Sequence, residues 1–269
     1  MVEAGQVTFA MQTFERIHPV EFQRRFLSHS TRHSGREFMQ FRPLQIIKGA
    51  ISTAQGSATV RLGNTTVVCG IKAEVCEPDV KRPTSGYLTT NVELSPMCSA
   101  RFRPGAPSDE AQVASEHIHR LSAHFLDVTQ LCIEEGRAVW SLSADIVCLK
   151  HDGNVLDAAV IALGAALEDL RLAGAEFDSA TGMVTAGGEG THVIMKKRLF
   201  PATFTLVDDS YVVADADDAE EQLAAASLLV VLDEDGKLAN IWKRGAGAID
   251  KDTIEQCVQV ARVRMAEIA

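Results

Sequence analysis

A chain of 269 residues, 46% apolar, with a formal net charge of −10, has enough apolar material for one large or two small cores and too little basic surface for a free-standing nucleic-acid binder held by its overall field. Any contact with RNA has to be local. No apolar run is long enough to span a bilayer, the first twenty residues carry Glu3, Glu15 and Arg16 where a secretory signal needs an apolar segment, and six scattered cysteines without a Cys-x-x-Cys pair read as reduced, buried thiols of an intracellular protein.

The chain opens on a segment expected to fray and then on an amphipathic helix near Pro19 to Ser28, with Val20, Phe22, Phe26 and Leu27 as its apolar contacts. Arg32 to Glu37 is polar and reads as a loop. Leu44 to Ile51, Ala58 to Leu62 and Thr65 to Val75 are short runs rich in β-branched residues, punctuated by Gly56-Ser57 and Gly63-Asn64, which predicts antiparallel hairpins. Pro78 and Pro83 mark a loop, Tyr87 to Leu94 a further strand, and Ser95 to Pro107 an irregular stretch. A helix is predicted from Ser108-Asp109-Glu110, with a capping hydroxyl and first-turn acids, and with Ala111, Ala114, Ile118, Leu121 and Phe125 at spacings of three and four.

The organising stretch is Asp145 to Leu167: the end of a buried strand, which begins at Ala138, then an Asp152-Gly153-Asn154 turn, then a helix apolar on nearly every face that demands burial under other layers. Asp152 at the mouth of that turn is either a turn-former or a general acid. Gly182 to Gly190 lacks an apolar period and reads as the joint between two lobes. Beyond it, Thr203 to Val207 with Tyr211 to Ala214, and Ser227 to Leu232 with Leu238 to Trp242, read as two hairpins, and a last helix from Asp250 to Asp252 buries Ile254, Cys257, Val258, Ala261 and Met265. Both lobes run strands first and a helix after, an α+β plan of mostly antiparallel sheets packed with helices.

Four other features read as structural. His117, His119 and His124 share a helix, but no two stand at i, i+4 and no acid completes a ligand set. Asp215, Asp217, Asp218, Glu220 and Glu221 miss the register of a calcium loop and are expected to form a solvated turn. Gly245-Ala246-Gly247 is a flexible entry to the last helix, and the alanine-rich Leu223 to Ser227 is core or interface packing.

Gly56-Ser57-Ala58 through Val67, Gly86-Tyr87 to Leu94, Ser99 to Pro107, and Asp152-Gly153-Asn154 to Ala159 resemble the RNase PH family, and within it the ring subunits of the eukaryotic RNA exosome, over roughly Pro19 to Met265. The resemblance implies a two-lobed RNase PH fold with an N-terminal extension and helix (1–30), a first domain (31–185) and a second (186–269). It implies neighbours that are other RNase PH-like ring subunits, a cap protein with RNA-binding domains, single-stranded RNA threaded through the channel, no membrane, and a place in nucleus, nucleolus and cytoplasm.

Active members break RNA from its 3′ end with inorganic phosphate, which needs cationic and hydroxyl groups for phosphate, a divalent metal and an acid. Asp152 aligns with the acid and Asp145 is a possible upstream partner whose register stays open; both are vestigial candidates. Where active relatives follow the turn with a small residue, a hydroxyl and an arginine, this chain has Asn154, Val155 and Leu156. The helix that carries the phosphate-binding arginines in active members offers Ala114, Ser115, His117, His119 and Arg120, and the early Arg-Pro-Asp-Gly-Arg motif has become Arg32-His33-Ser34-Gly35-Arg36. A non-catalytic subunit without metal or cofactor is therefore expected, with an active phosphorolytic 3′-to-5′ exoribonuclease as the alternative and a free-standing RNA-binding protein as a third reading. For RNA, the expected contacts are Arg101 and Arg103, which point the same way if the segment before Pro104 is extended. The competing readings of this pair are a solvated loop and a salt bridge at a ring interface.

Overall fold

The computed structural model describes residues 13–14, 17–178, 181–186, 191–208 and 210–268. The start of the chain that was expected to fray, and Gly187 to Gly190 of the expected joint, lie outside them.

Pro19–Ser28 forms helix α1. The first sheet is built from β1 (Leu44–Lys48), β2 (Gly56–Leu62), β3 (Thr65–Cys76), β4 (Tyr87–Leu94), β5 (Cys132–Glu134) and β6 (Ala138–Lys150), in the order β1-β2-β3-β6-β4, with β5 pairing the start of β6. All its pairs are antiparallel except β4 with β6. β1 stops at Lys48 and not at Ile51, because Gly49 takes φ +70° and turns the chain out of the ladder. Helix α2 (Asp109–Phe125) returns across β4; the Ser108 side chain accepts from the Ala111 N–H, as its hydroxyl predicts.

Helix α3 (Val155–Asp169) is the core of the molecule. Eleven of its residues are buried, because it packs on β2 and β3 with one side and on β11 with the other. Its contact with the first sheet is so close that a Cβ on Gly56 would lie 2.5 Å from the Ala166 carbonyl oxygen. After α3 come β7 (Arg171–Leu172), β8 (Ala175–Asp178), β9 (Met183–Ala186) and β10 (Thr191–His192). β8 and β9 pair with each other, so Met183 to Ala186 of the expected joint is a hairpin strand and not a linker.

The second sheet contains β11 (Leu199–Val207), β12 (Tyr211–Ala214), β13 (Ala224–Asp233) and β14 (Leu238–Gly245), ordered β12-β11-β13-β14 and antiparallel throughout. β11 begins four residues before the predicted Thr203 because Pro201 is tolerated in it. β12 pairs β11 only from Phe204 onward, so on that side Pro201 faces no partner strand and its missing N–H is not needed. The four-residue helix α4 (Asp218–Glu221) precedes β13, and α5 (Lys251–Ile268) covers the outer face of this sheet with Cys257 and Ala261 buried. The layers run first sheet, α3, second sheet, α5: an α+β, two-lobed arrangement. No helix among the described residues is long and apolar enough to cross a membrane.

Candidate functional site

The turn between β6 and α3 is pressed against the second lobe. Gly153 takes φ +73°, and a Cβ there would meet the Ala216 carbonyl oxygen at 2.6 Å, so only glycine fits both backbone and space. Asn154 follows in the left-handed region at φ 50°, which asparagine tolerates. Its side-chain amide donates to Asp157 Oδ2 (2.9 Å) and Asp215 Oδ1 (2.7 Å), joining α3 to the segment after β12.

Around this turn lies a buried ionic junction. Arg42 donates through Nε and Nη2 to the two Asp215 oxygens (2.9 and 2.8 Å), and through Nη1 to the Asp152 carbonyl (2.6 Å). Burial alone would raise the Asp215 carboxyl, but hydrogen bonds and charge from Arg42 hold it below the usual carboxylate range. Arg32 is fully buried and forms a two-pronged pair with Glu220 while donating to the Ala214 and Asp215 carbonyls (2.7 and 3.0 Å). Arg36 Nη1 reaches the Asp215 carbonyl at 2.9 Å. Glu220 completes a capping box with Asp217. Asp157 accepts from the Thr203 hydroxyl (2.6 Å) and N–H (2.9 Å); burial pushes its carboxyl up to about 6 against these bonds.

Beside the junction a cleft opens between the lobes, lined by Glu110, Val113 and Ala114 of α2, Val155 and Leu156 of α3, Thr203 and Thr205 of β11, Glu221, and Trp242 and Arg244 of β14. Trp242 stacks on the buried His117 ring at 4.3 Å. Glu221 accepts the Asn154 N–H at 2.8 Å; burial, reinforced by the Glu110 charge, pushes its carboxyl up to about 7. His151 lies next to Asp218, with Nδ1 to Oδ1 at 3.5 Å, and burial followed by the Arg101 charge pulls its pKa below the ordinary imidazole value. Glu221 is thus the cleft-lining group raised toward neutral pH. Potential ligand atoms of His151, Asp218 and Glu221 come within 4.8 Å of one another. Arg101 and Gln222 donate to the two Asp218 oxygens and the Asn154 N–H to Glu221 Oε1, so both carboxylates are already hydrogen-bonded, while His151 Nε2 is buried without a hydrogen-bond partner among the described residues.

Asp152 and Asp145, the two acids that the sequence offers, are not brought together. Asp152 lies at the junction, accepting from the Asn64 amide (3.1 Å) with Arg42 Nη1 at 3.6 Å, and is not among the residues lining the cleft. Asp145 is exposed on the outer face of the first sheet, opposite Gly70 and Asn91, five residues and about 16 Å of strand before the end of β6. Arg101 stands in a turn, not an extended segment, and donates to Glu110 Oε2 and Asp218 Oδ1, both at 2.6 Å; Arg103 is exposed two residues on. The acidic run expected to be a solvated turn is corrected: Asp215 and Glu220 are 0% and 1% exposed, because three arginines from the segment before β1 reach them. Glu110 and Glu221 carry the cleft's carboxylate chemistry, a role that their places in the sequence do not mark. Glu110 was visible only as a first-turn helix acid, and Glu221 only as one of the acids of that run.

Comparisons with known proteins cover the same regions. Residues 40–173 match the family model described as 3′ exoribonuclease family, domain 1, and residues 200–264 match domain 2 of the same family. The chain is 36% identical over 259 residues, 96% of each chain, to exosome complex component rrp43 of Schizosaccharomyces pombe. It is 33% identical over 237 residues, 87% of each, to exosome complex component Rrp42 of Methanothermobacter thermautotrophicus. Among solved structures, it superposes on a chain of the Archaeoglobus fulgidus exosome with RNA bound to the active site with a TM-score of 0.82 at 28% identity, over 92% of this chain and 95% of that one.

Proposed function

Since the chain belongs to the 3′ exoribonuclease family of RNase PH fold, we propose that it is a ring subunit of an RNA exosome that supports 3′-to-5′ degradation and RNA processing without cutting RNA itself. The observation that carries the non-catalytic part is the lining of the cleft. Phosphorolysis needs a cationic cradle for phosphate; here Val113, Val155, Leu156 and Trp242 line the walls, and among the described residues the one cation of the lining, Arg244, shares it with the carboxyls of Glu110 and Glu221. At its mouth, Arg244 and Arg101 face Asp109, Glu110 and Glu221, and Arg101 is already paired with Glu110. The relatives named rrp43 and Rrp42 support the ring assignment.

In this reading the lobes assigned to 31–185 and 186–269 each contribute one main sheet, the neighbours are other RNase PH-like subunits and a cap protein with RNA-binding domains, and single-stranded RNA passes through the assembled channel along the loop of Arg101 and Arg103. The subunit works in nucleus, nucleolus and cytoplasm. The purified subunit, given RNA, inorganic phosphate and Mg²⁺, is expected to release no nucleoside diphosphate. Phosphate-dependent release that disappears in Asp152→Asn or Glu221→Gln would establish the active exoribonuclease instead.

A further inference from the structure

The loop between β4 and α2 holds two arginines whose surroundings differ completely. Arg101 is a bridge. Its Nη2 donates to Glu110 at the start of α2 and its Nη1 to Asp218 at the start of α4, so one guanidinium ties the loop to both lobes. The guanidinium also lies over the Phe102 ring at 5.1 Å, and Phe102, 8% exposed, packs edge-on against His151 at 5.5 Å. Arg101 and Phe102 are thus the anchors of the loop. A phosphate that took Arg101 would have to strip two charge-assisted hydrogen bonds and would leave Glu110 and Asp218, two carboxylates, facing its own negative charge. Arg103 is the opposite case. It is exposed, makes no hydrogen bond or ion pair to any described residue, and stands immediately before Pro104 and Gly105 (φ +132°), at the part of the loop that projects from the anchors.

We infer that the two residues divide the work of the loop: Arg101 is a positioning residue that fixes the loop across the lobe junction, and Arg103 alone offers its guanidinium to RNA phosphate. This rests on the proposal that RNA passes along this loop, and it narrows the contact to one side chain.

The test uses the subunit assembled with its RNase PH-like neighbours and a fluorescein-labelled oligouridylate, with binding followed by anisotropy across a KCl series. Arg103→Gln is expected to reduce the slope of log affinity against log salt by about 0.7, the loss of one phosphate contact to a single strand. Amide exchange of the loop should be unchanged, since an exposed side chain without partners holds nothing in place. Arg101→Gln is expected to leave the slope alone, while amide exchange across Ser99 to Pro107 speeds up; Arg101→Lys, a single point charge that cannot fork to both acids, should restore protection only in part. Should Arg101→Gln prevent assembly, Arg101→Lys and Arg103→Gln decide the matter. Equal loss of slope from both positions would keep RNA on the loop and overturn the division of labour. A slope and affinity unchanged in Arg103→Gln would overturn the inference together with the RNA path along this loop, leaving the ring assignment to be judged by assembly.

Discussion

Asp157 lies in the first turn of α3, where a carboxylate faces the helix N-terminus, yet it is buried among Thr203, Asn154 and Asp215, and burial outweighs the hydrogen bonds. Its carboxyl is pushed up to about 6 from 3.8, and an acid raised in this way favours the folded state while protonated. The contribution is therefore complete below the unfolded value and is lost as pH rises through about 6, by up to about 3 kcal/mol for a shift of that size. Asp157→Asn keeps an acceptor for the Thr203 N–H and cannot ionise. Urea melts at a series of pH values should show the variant's deficit against the parent shrinking between pH about 4 and about 8; a constant deficit would mean that Asp157 titrates as an ordinary carboxylate. Asp215, a few ångströms away, has the opposite sign, because Arg42 depresses it, so its contribution is present at neutral pH and fails only in acid. One shell of side chains thus holds two aspartates apart in protonation behaviour, and the difference lies in which of them meets a guanidinium.

At the scale of elements, α3 determines how closely the two lobes approach. Gly56→Ala would push a methyl into the Ala166 carbonyl and the Leu170 backbone, at 2.5 and 2.8 Å, and backbone cannot move aside as a flexible side chain can. Thermal melts should report a cost of about 1–3 kcal/mol, the range for overpacking a tight interior, with the secondary structure intact; a neutral substitution would show that α3 can slide on β2. Much of this layer was legible in the chain. The Gly63-Asn64 punctuation, the β-branched runs on either side of it, and a helix apolar all round are local signals, and β3, β6 and α3 stand where they predict; Gly56-Ser57, which reads as punctuation, is instead the start of β2, paired with Ile71 and Gly70. The alternation Ala144-Asp145-Ile146 even carries the information that Asp145 points away from the core, since its two neighbours are buried. The ionic junction was not legible. A run such as Asp215 to Glu221 looks solvated in isolation, and what makes it buried, Arg32, Arg36 and Arg42, stands more than a hundred residues away, the first two in a segment that itself reads as a polar loop. The cleft fails for a related reason: Glu110 and Glu221 come from two elements that meet only once α3 has set the distance between the sheets.

For the whole molecule, the unsatisfied features are its edges. Among the described residues β1 pairs only β2 and β14 only β13, so each leaves one row of backbone groups without a partner strand there, and Ile46, Ile47, Leu238 and Ile241 are exposed on those same strands. The isolated chain should therefore aggregate or form irregular oligomers despite its net charge of −10, and become monodisperse when co-expressed with one RNase PH-like partner. Sedimentation of a stable monomer indifferent to every such partner would remove the scaffold role. The ionic junction has a consequence of another kind, in time. Arg32 and Glu220 are 188 residues apart, so a ribosome adding about 5–20 residues per second delivers the arginine roughly 10–40 s before its acid. Throughout that interval the emerging chain carries Arg32, Arg36 and Arg42 with neither Asp215 nor Glu220 yet made. The nascent chain, and not the finished subunit, is the form in which these three guanidiniums lie open to the polyanionic surface of the ribosome that is making them.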